Sequence, residues 1–288
     1  HAHGAVPLAA GWLLSKVLRK PLVVTFHGFQ RLWFKGTLWK SPSELKITYP
    51  VTKFLTTTAD VVIAQSEKFC KVVSDLYKVD SGKMFVLPHV IDEEVFTFTS
   101  IPSFKEITVL FVGALARVYG VDLFIKAAPF VIKSFPEAKF LVVGKGPQKD
   151  RLNKLINRLK LENSVFLVGP VYDRKKLARH YQDARVVVIP QKYEGYFLSL
   201  VALEALAAGR PIVTTQTLDP ELYKIGIFKA SFDPKDIAEK IMKILNLDEE
   251  SYSTLARTAR KYFENHCSKN VIASRLEKLY LTLNQRRG

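Results

Sequence analysis

Two carboxylates stand on either side of one turn, Glu194 in Y-E-G-Y-F-L-S-L and Glu204 in L-E-A-L-A-A-G-R-P, with nine residues between them. On a strand-to-helix element, a pair of ionised carboxylates can accept hydrogen bonds from vicinal hydroxyls such as those of sugars and ribose. The bland alternative is a solvated loop charge and a helix-face charge, which composition alone favours. A second chemistry lies in three glycine-bearing segments, Val112-Gly113-Ala114, Val143-Gly144-Lys145-Gly146-Pro147 and Val168-Gly169-Pro170-Val171. Glycine after a strand lets a ligand approach the backbone. A strand that leads into a helix N-terminus also offers free N–H groups and a dipole that attract phosphate. Taken singly, each such segment is an ordinary turn. His1, His3, His27 and His89 raise the question of a metal, but they fall on separate stretches of chain and read as core or surface histidines. No metal or other cofactor is expected.

These groups need strands and helices to hold them. Short apolar runs rich in β-branched residues recur between segments of helical period, the pattern of βαβ units around a parallel sheet buried on both faces. The spacing predicts strands over Leu22–Phe26, Val61–Ala64, Phe85–Leu87, Thr108–Val112, Phe140–Val143, Val165–Val168, Val186–Ile189, Ile212–Thr214 and Ile227–Phe228. Leu152, Leu155, Ile156 and Leu159 mark one apolar helix face, with Arg151, Lys154 and Arg158 facing water. Thr97, Thr99, Ser100, Pro102 and Ser103 interrupt both periodicities and place a domain break there. Three strands precede the break and six follow it. Six suffice for a doubly wound domain; three do not. The N-terminal part is therefore expected to be completed by chain upstream of His1 or by a second chain. The tail reads as two helices parted near residues 266–268.

The 288 residues carry 43 Lys+Arg against 27 Asp+Glu, a formal charge of +16, and 48% are hydrophobic, which excludes both disorder and an acidic surface. Lys16, Arg19, Lys20, Arg31, Lys35 and Lys40 all precede the first acidic residue, Glu44. Trp12, Trp33 and Trp39 lie in the same stretch, with Phe26, Phe29 and Phe34 interleaved. This combination suits an anionic membrane surface; buried tryptophans beside an ordinary basic face fit it equally well. No helix-turn-helix, zinc or RNA-recognition pattern accompanies the charge, so specific nucleic-acid binding is not expected. The apolar stretch from Ala5 to Leu14 is too short to span a bilayer. Cys70 and Cys267 form neither a disulfide framework nor a metal spacing, consistent with a reduced, cytoplasmic chain.

The segments V-G-A-L-A-R-V-Y-G-V-D (112–122), F-L-V-V-G-K-G-P (140–147), F-L-V-G-P-V (166–171) and Y-E-G-Y-F-L-S-L-V-A-L-E-A-L-A-A-G-R-P-I-V (193–213) resemble, in order and spacing, the donor half of the retaining family-4 glycosyltransferases. H-A-H-G (1–4), P-L-V-V-T-F-H-G (21–28), A-D-V-V-I-A-Q-S (59–66) and L-P-H-V-I-D (87–92) are similar to the later part of that family's acceptor domain. The resemblance implies an α/β protein of the GT-B fold, two Rossmann-like doubly wound parallel-sheet domains of which the N-terminal one is incomplete. Its parts would be an acceptor-side domain over residues 1–98, a donor domain over 99–265, and a helix over 266–288 that crosses back.

By the same resemblance the ligand is a nucleotide sugar and the partner a glycan or lipid-linked acceptor. Glu194 would meet the transferred sugar, with His27 near it from the acceptor side. Glu204 would hold the ribose, and Gly169 to Val171 the base. The amides of Phe197, Leu198, Ser199 and Leu200, with Gly113, would face the diphosphate. Ala114 and Tyr119 occupy the places of the family's phosphate-binding Arg and Lys, nine residues replace the usual seven between the two glutamates, and the paired glycines before Pro220-Glu221 are missing. Lys145 and Arg117 are expected to supply the missing charge. These departures leave open a second reading, a catalytically weak or inactive subunit of the same fold that works through a partner chain.

Overall fold

In the computed structural model of the protein, residues 1–27, 42–192 and 195–285 are described. They divide into two compact units, His1–His89 together with Asn270–Gly288, and Val90–Lys269.

The first unit is built on a four-stranded parallel sheet in the order β1 (Ala2–His3), β2 (Val23–Thr25), β3 (Val61–Ala64) and β4 (Met84–Val86). Helices α1 (Ala5–Val17), α2 (Pro42–Thr57) and α3 (Glu67–Tyr77) connect the strands, and α10 (Lys269–Gln285) packs Ile272 and Leu283 against Val23, Val61, Ile63 and Leu87. Helix α3 shows why these sequences stop and start where they do. Ser66 caps it, its hydroxyl accepting from the Phe69 amide at 3.0 Å, and Glu67 complements the dipole in the first turn. Phe69, Cys70 and Val73 form its buried face. The sequence predicts three strands here and the structure has four. Ala2–His3 is too short to show either an apolar run or an alternation, the two signals by which strands are read.

The second unit holds a six-stranded parallel sheet in the order β10-β9-β8-β5-β6-β7. The strands are β5 (Thr108–Val112), β6 (Lys139–Val143), β7 (Val165–Gly169), β8 (Val186–Ile189), β9 (Ile212–Thr214) and β10 (Ile227–Lys229). The intervening helices are α4 (Val121–Ile132), α5 (Lys149–Arg158), α6 (Arg174–Asp183), α7 (Leu200–Ala207), α8 (Pro234–Leu245) and α9 (Glu249–His266). Alternation along β5 sends Val109 and Phe111 into one core, with Phe124, Phe140 and Ile241, and Leu110 into the other, with Val187, Leu203 and Phe263. Both faces are thus covered, as the near-continuous apolar strands require. The chain winds outward from β5 through β6 to β7, then returns to β8 and winds the other way. The carboxyl ends of β5 and β8 therefore flank the point of reversal, where open α/β sheets form a crevice.

The expected boundaries at 98/99 and 265/266 differ from the division at 89/90 and 269/270. Ile91 and Phe96 are buried in the second unit's core, and Lys269 pairs with Glu94 at 2.9 Å, which ties both margins to that unit.

Candidate functional site

At the carboxyl edge of the six-stranded sheet, hydrogen bonding continues past the strands into the loops. The Gly113 amide donates to the Val143 carbonyl at 3.0 Å, Gly144 to Gly169 at 2.9 Å and Leu115 to Lys145 at 2.9 Å. The three glycine segments read singly from sequence are one connected platform. Gly144 is the residue that permits this: its φ is +147°, and a Cβ there would stand 1.8 Å from the Gly113 carbonyl oxygen. Gly169, at φ +88°, has nothing within 4 Å of its missing Cβ and faces open space.

On the β8 side of the reversal the loop is anchored by buried amides. Gln216 Nε2 donates to Gln191 Oε1 at 2.6 Å, and Thr215 Oγ1 to the Gln191 carbonyl at 2.6 Å. The Lys192 amide donates to Val118 at 2.8 Å, and its ammonium lies 2.7 Å from Asp122, so this cation is already partnered. Tyr193 and Glu194 lie outside the described residues, and the expectation for Glu194 falls there. Beyond them, Ser199 caps α7 by accepting from the Ala202 amide at 3.3 Å. That cap sets the free N–H groups of the first turn toward the crevice. Phe197 is half-buried, the Leu198 side chain is buried in the core, and Leu200 is exposed.

Glu204 sits on α7 and is only 7% exposed. Its Oε2 accepts from the Tyr181 hydroxyl at 2.7 Å, and its Oε1 is 3.7 Å from Arg174. Burial raises its pKa above the usual carboxylate range, opposed by the Tyr181 hydrogen bond and the Arg174 charge. Glu204 is therefore a desolvated acceptor with one oxygen committed and the other facing a cation.

Lys145 and Arg117 are both exposed on this edge, Arg117 on the single 3-10 turn Arg117–Tyr119. Lys145 Nζ donates to the Tyr172 hydroxyl at 2.9 Å, which raises the lysine's pKa and holds it as a cation. Ala114 is exposed, whereas Tyr119 packs against the first core and its phenol is pushed up by burial. Val171 packs against the second core. Sequence reasoning missed Tyr172, Tyr181, Arg174, Gln191, Gln216 and Lys192. The spacing of Leu177, Ala178 and Tyr181 signals a buried face but not a hydroxyl aimed at Glu204.

His27 belongs to the first unit, where the structure gathers the four histidines that fall on separate stretches of sequence. Their rings stack in a column, His1 on His3 at 4.3 Å between centroids, His3 on His27 at 5.1 Å and His27 on His89 at 5.4 Å. His3 Nδ1 and His27 Nε2 are 2.8 Å apart and share a hydrogen bond. Burial, with His3 second, lowers the pKa of His27; burial, with His27 second, takes His89 down to about 4. Stacked rings present faces rather than converging nitrogens, and among the described residues no group of three or more His, Cys, Asp or Glu side chains could hold a metal.

The family described as "Glycosyl transferases group 1" matches residues 106–247, and that described as "Glycosyltransferase Family 4" matches residues 1–95. The chain is 26% identical to the 2-deoxystreptamine N-acetyl-D-glucosaminyltransferase of Niallia circulans, over 88% of this chain and 68% of that enzyme. It spans about half the length, 47% and 56%, of two uncharacterised glycosyltransferases of Methanocaldococcus jannaschii. Among solved structures it resembles Anabaena HepE in complex with UDP, at a TM-score of 0.80 and 18% identity, over 98% of this chain and 79% of that one. Since the two matched segments follow one another along the chain and carry the two parallel sheets of the fold, the protein belongs to the family-4 glycosyltransferases of the GT-B fold.

Proposed function

We propose that the protein is a retaining glycosyltransferase that moves a sugar from a nucleotide-sugar donor to a glycan or lipid-linked acceptor. The observation that carries this reading is the platform of glycine loops at the reversal point, with the α7 N-terminus and the desolvated Glu204 beside it. Glu204 takes a ribose hydroxyl on the oxygen that Tyr181 leaves open. The backbone of Gly169 to Val171 meets the base. Gly113 and the amides from Phe197 to Leu200 meet the diphosphate, with Lys145 and Arg117 as exposed cations. Fixed donors of this kind stabilise charge that develops on a departing diphosphate without reorganising, so the reaction needs no metal. Glu194 and His27 are the residues the family resemblance assigns to the sugar-transfer step.

Contact with an anionic membrane surface belongs to the same reading. Leu13, Leu14, Val17 and Leu18 on and just after α1 are 55–70% exposed, among the exposed cations Lys16, Arg19 and Lys20. Trp12 is half-buried beside Phe54, and Trp33 and Trp39 lie outside the described residues. No described helix is long and apolar enough to cross a membrane. Co-sedimentation with vesicles should rise with anionic lipid content; binding indifferent to that content overturns this part.

Calorimetry with nucleoside diphosphates tests the donor site. Glu204→Ala should weaken binding by tenfold or more, on the order of 1.5–3 kcal/mol for a charge-assisted hydrogen bond. Glu204→Gln, which still accepts from Tyr181, checks that the loss is not a packing effect. Unchanged affinity in both variants overturns the assignment. The second reading, an inactive subunit that acts through a partner, is favoured by one observation: Ala114 and Tyr119 bring no cation to the places where the family carries two. It predicts that the whole chain binds no nucleoside diphosphate.

A further inference from the structure

Away from the strand-end loops, two arginines lie inside the second unit. Arg185 immediately precedes β8 and Arg210 precedes β9 by two residues, so both sit at the amino-terminal edge of the sheet, opposite the loops. Arg185 is 1% exposed and Arg210 0%. The Arg185 guanidinium lies 3.6 Å from the Phe104 ring centroid and 4.8 Å from that of Tyr252; Arg210 lies 5.9 Å from that of Phe98. Arg210 donates to the Ser100 carbonyl at 2.6 Å, and the Tyr252 side chain favours the charged form of both arginines. Nε and one terminal nitrogen of each guanidinium are buried without an acceptor, four donors in all.

The missing element is charge as well as hydrogen bonds. Neither arginine takes part in an ion pair among the described residues. A buried lysine would escape by losing its proton, but arginine stays charged in proteins. Each guanidinium is disfavoured first by burial, and the charge of Arg210 adds to that on Arg185. Tyr252 does not answer them as a phenolate: burial raises its pKa, and its hydroxyl donates to the Arg185 carbonyl at 2.9 Å. Asp183 acts on Arg210 only weakly and is exposed. The aromatic faces offer partial compensation through their quadrupoles, and that acts above and below the guanidinium planes. The N–H groups of the four orphaned nitrogens point within those planes. Water could satisfy the donors, but it would leave two positive charges buried together, the costly arrangement that proteins avoid.

We propose that Arg185 and Arg210 enclose a small inorganic anion at the amino-terminal edge of this sheet. The in-plane N–H forks suit an oxyanion such as phosphate, and a halide fits the same donors. The site is structural: the anion joins the starts of β8 and β9 to the Phe98–Phe104 connection and to α9. It does not rest on the proposed transferase activity.

Thermal unfolding of the full chain tests it, at constant ionic strength with bulky gluconate replaced by phosphate or by bromide. A saturable rise of about 3–6 °C at tenfold excess over the dissociation constant is expected for at least one of the two anions. Bromide weakens proteins nonspecifically, so a rise with bromide is especially telling. The anion-dependent part should vanish in Arg185→Met and Arg210→Met, and Arg210→Lys serves if the methionine variant does not fold. A crystal grown in bromide gives a readout independent of variants, an anomalous peak within hydrogen-bonding reach of both guanidinium groups. Equal melting in all three salts together with no anomalous peak overturns the proposal, as does an anion dependence that survives both substitutions.

Discussion

The two parallel sheets end at their carboxyl edges in opposite ways. At the end of β1 and past β2 and β4 stand His3, His27 and His89, rings stacked and two of them with depressed pKa values. Past β5, β6 and β7 stand glycine loops hydrogen-bonded to one another, with Lys145 and Arg117 exposed beside them. One edge carries stacked imidazoles, of which burial disfavours the charged forms of His27 and His89; the other presents backbone amides and exposed cations. The same architecture thus accommodates two electrostatic roles. A neutral edge can face an uncharged sugar or hydroxyl, and a cationic, amide-rich edge can face a diphosphate.

The comparison breaks most severely if the loop platform is disrupted. Gly144→Ala places a methyl 1.8 Å from the Gly113 carbonyl oxygen, a backbone atom that cannot rotate away, at a φ of +147°. The loops must separate, and the cost is expected to exceed roughly 4 kcal/mol, the range of exceptional substitutions. Gly169→Ala, on the neighbouring strand β7, meets no atom within 4 Å and suffers only the strain of its φ of +88°, about 1 kcal/mol. Urea denaturation of both variants checks the contrast. Equal losses would mean that the glycine segments are independent turns rather than one platform.

The imidazole edge breaks with acid. His89 has a folded pKa of about 4 against an ordinary value of 6.5, because burial and then His27 disfavour its cation. The unfolded chain therefore takes up the proton first. The contribution of His89 to stability is full above pH 6.5, falls as pH drops through the window to about 4, and does not change further below it. Integrated over that window the loss is about 3 kcal/mol. His89→Gln should flatten the pH dependence of unfolding between those limits. A slope unchanged by the substitution would assign the acid sensitivity to other groups.

Much of this was legible in the sequence, because buried parallel strands are continuous apolar runs. Val61–Ala64, Thr108–Val112, Val186–Ile189 and Ile212–Thr214 are read to the residue. Ala2–His3 escapes because its identity as a strand comes from pairing with Val24 and Thr25, not from its own pattern. The site was legible as types and spacing, in Glu204 and the glycines. Its partners were not: the Tyr181–Glu204 bond joins residues 23 apart, and Gln191–Gln216 joins residues 25 apart just past neighbouring strands. Such contacts depend on sheet order, which no local period encodes. The histidine column is the extreme case, with His27 and His89 brought together across β3.

The finest distinction lies within the cationic edge itself, between Lys145 and Arg117. Both are exposed, and both follow strands of the platform. Lys145 is already held by the Tyr172 hydroxyl at 2.9 Å, with its ammonium 5.3 Å from that ring's centroid. That contact keeps the lysine charged and restricts where it reaches, so less conformational freedom is lost when a diphosphate arrives. Arg117 sits on one short turn with no side-chain partner among the described residues. Its reach is wider and its ordering cost greater. Lys145→Ala should therefore weaken binding of a nucleoside diphosphate by about tenfold while leaving the uncharged nucleoside unaffected. Arg117→Ala should produce a smaller loss, also confined to the diphosphate, and Tyr172→Phe should shift Lys145 toward the behaviour of Arg117. Salt sharpens the test, because an exposed cation acting on a phosphate is screened as ionic strength rises. If both alanine variants bind nucleoside and diphosphate as the parent does, neither cation has replaced the charge absent at Ala114 and Tyr119. The amides of the platform and of α7 would then be left to hold the diphosphate.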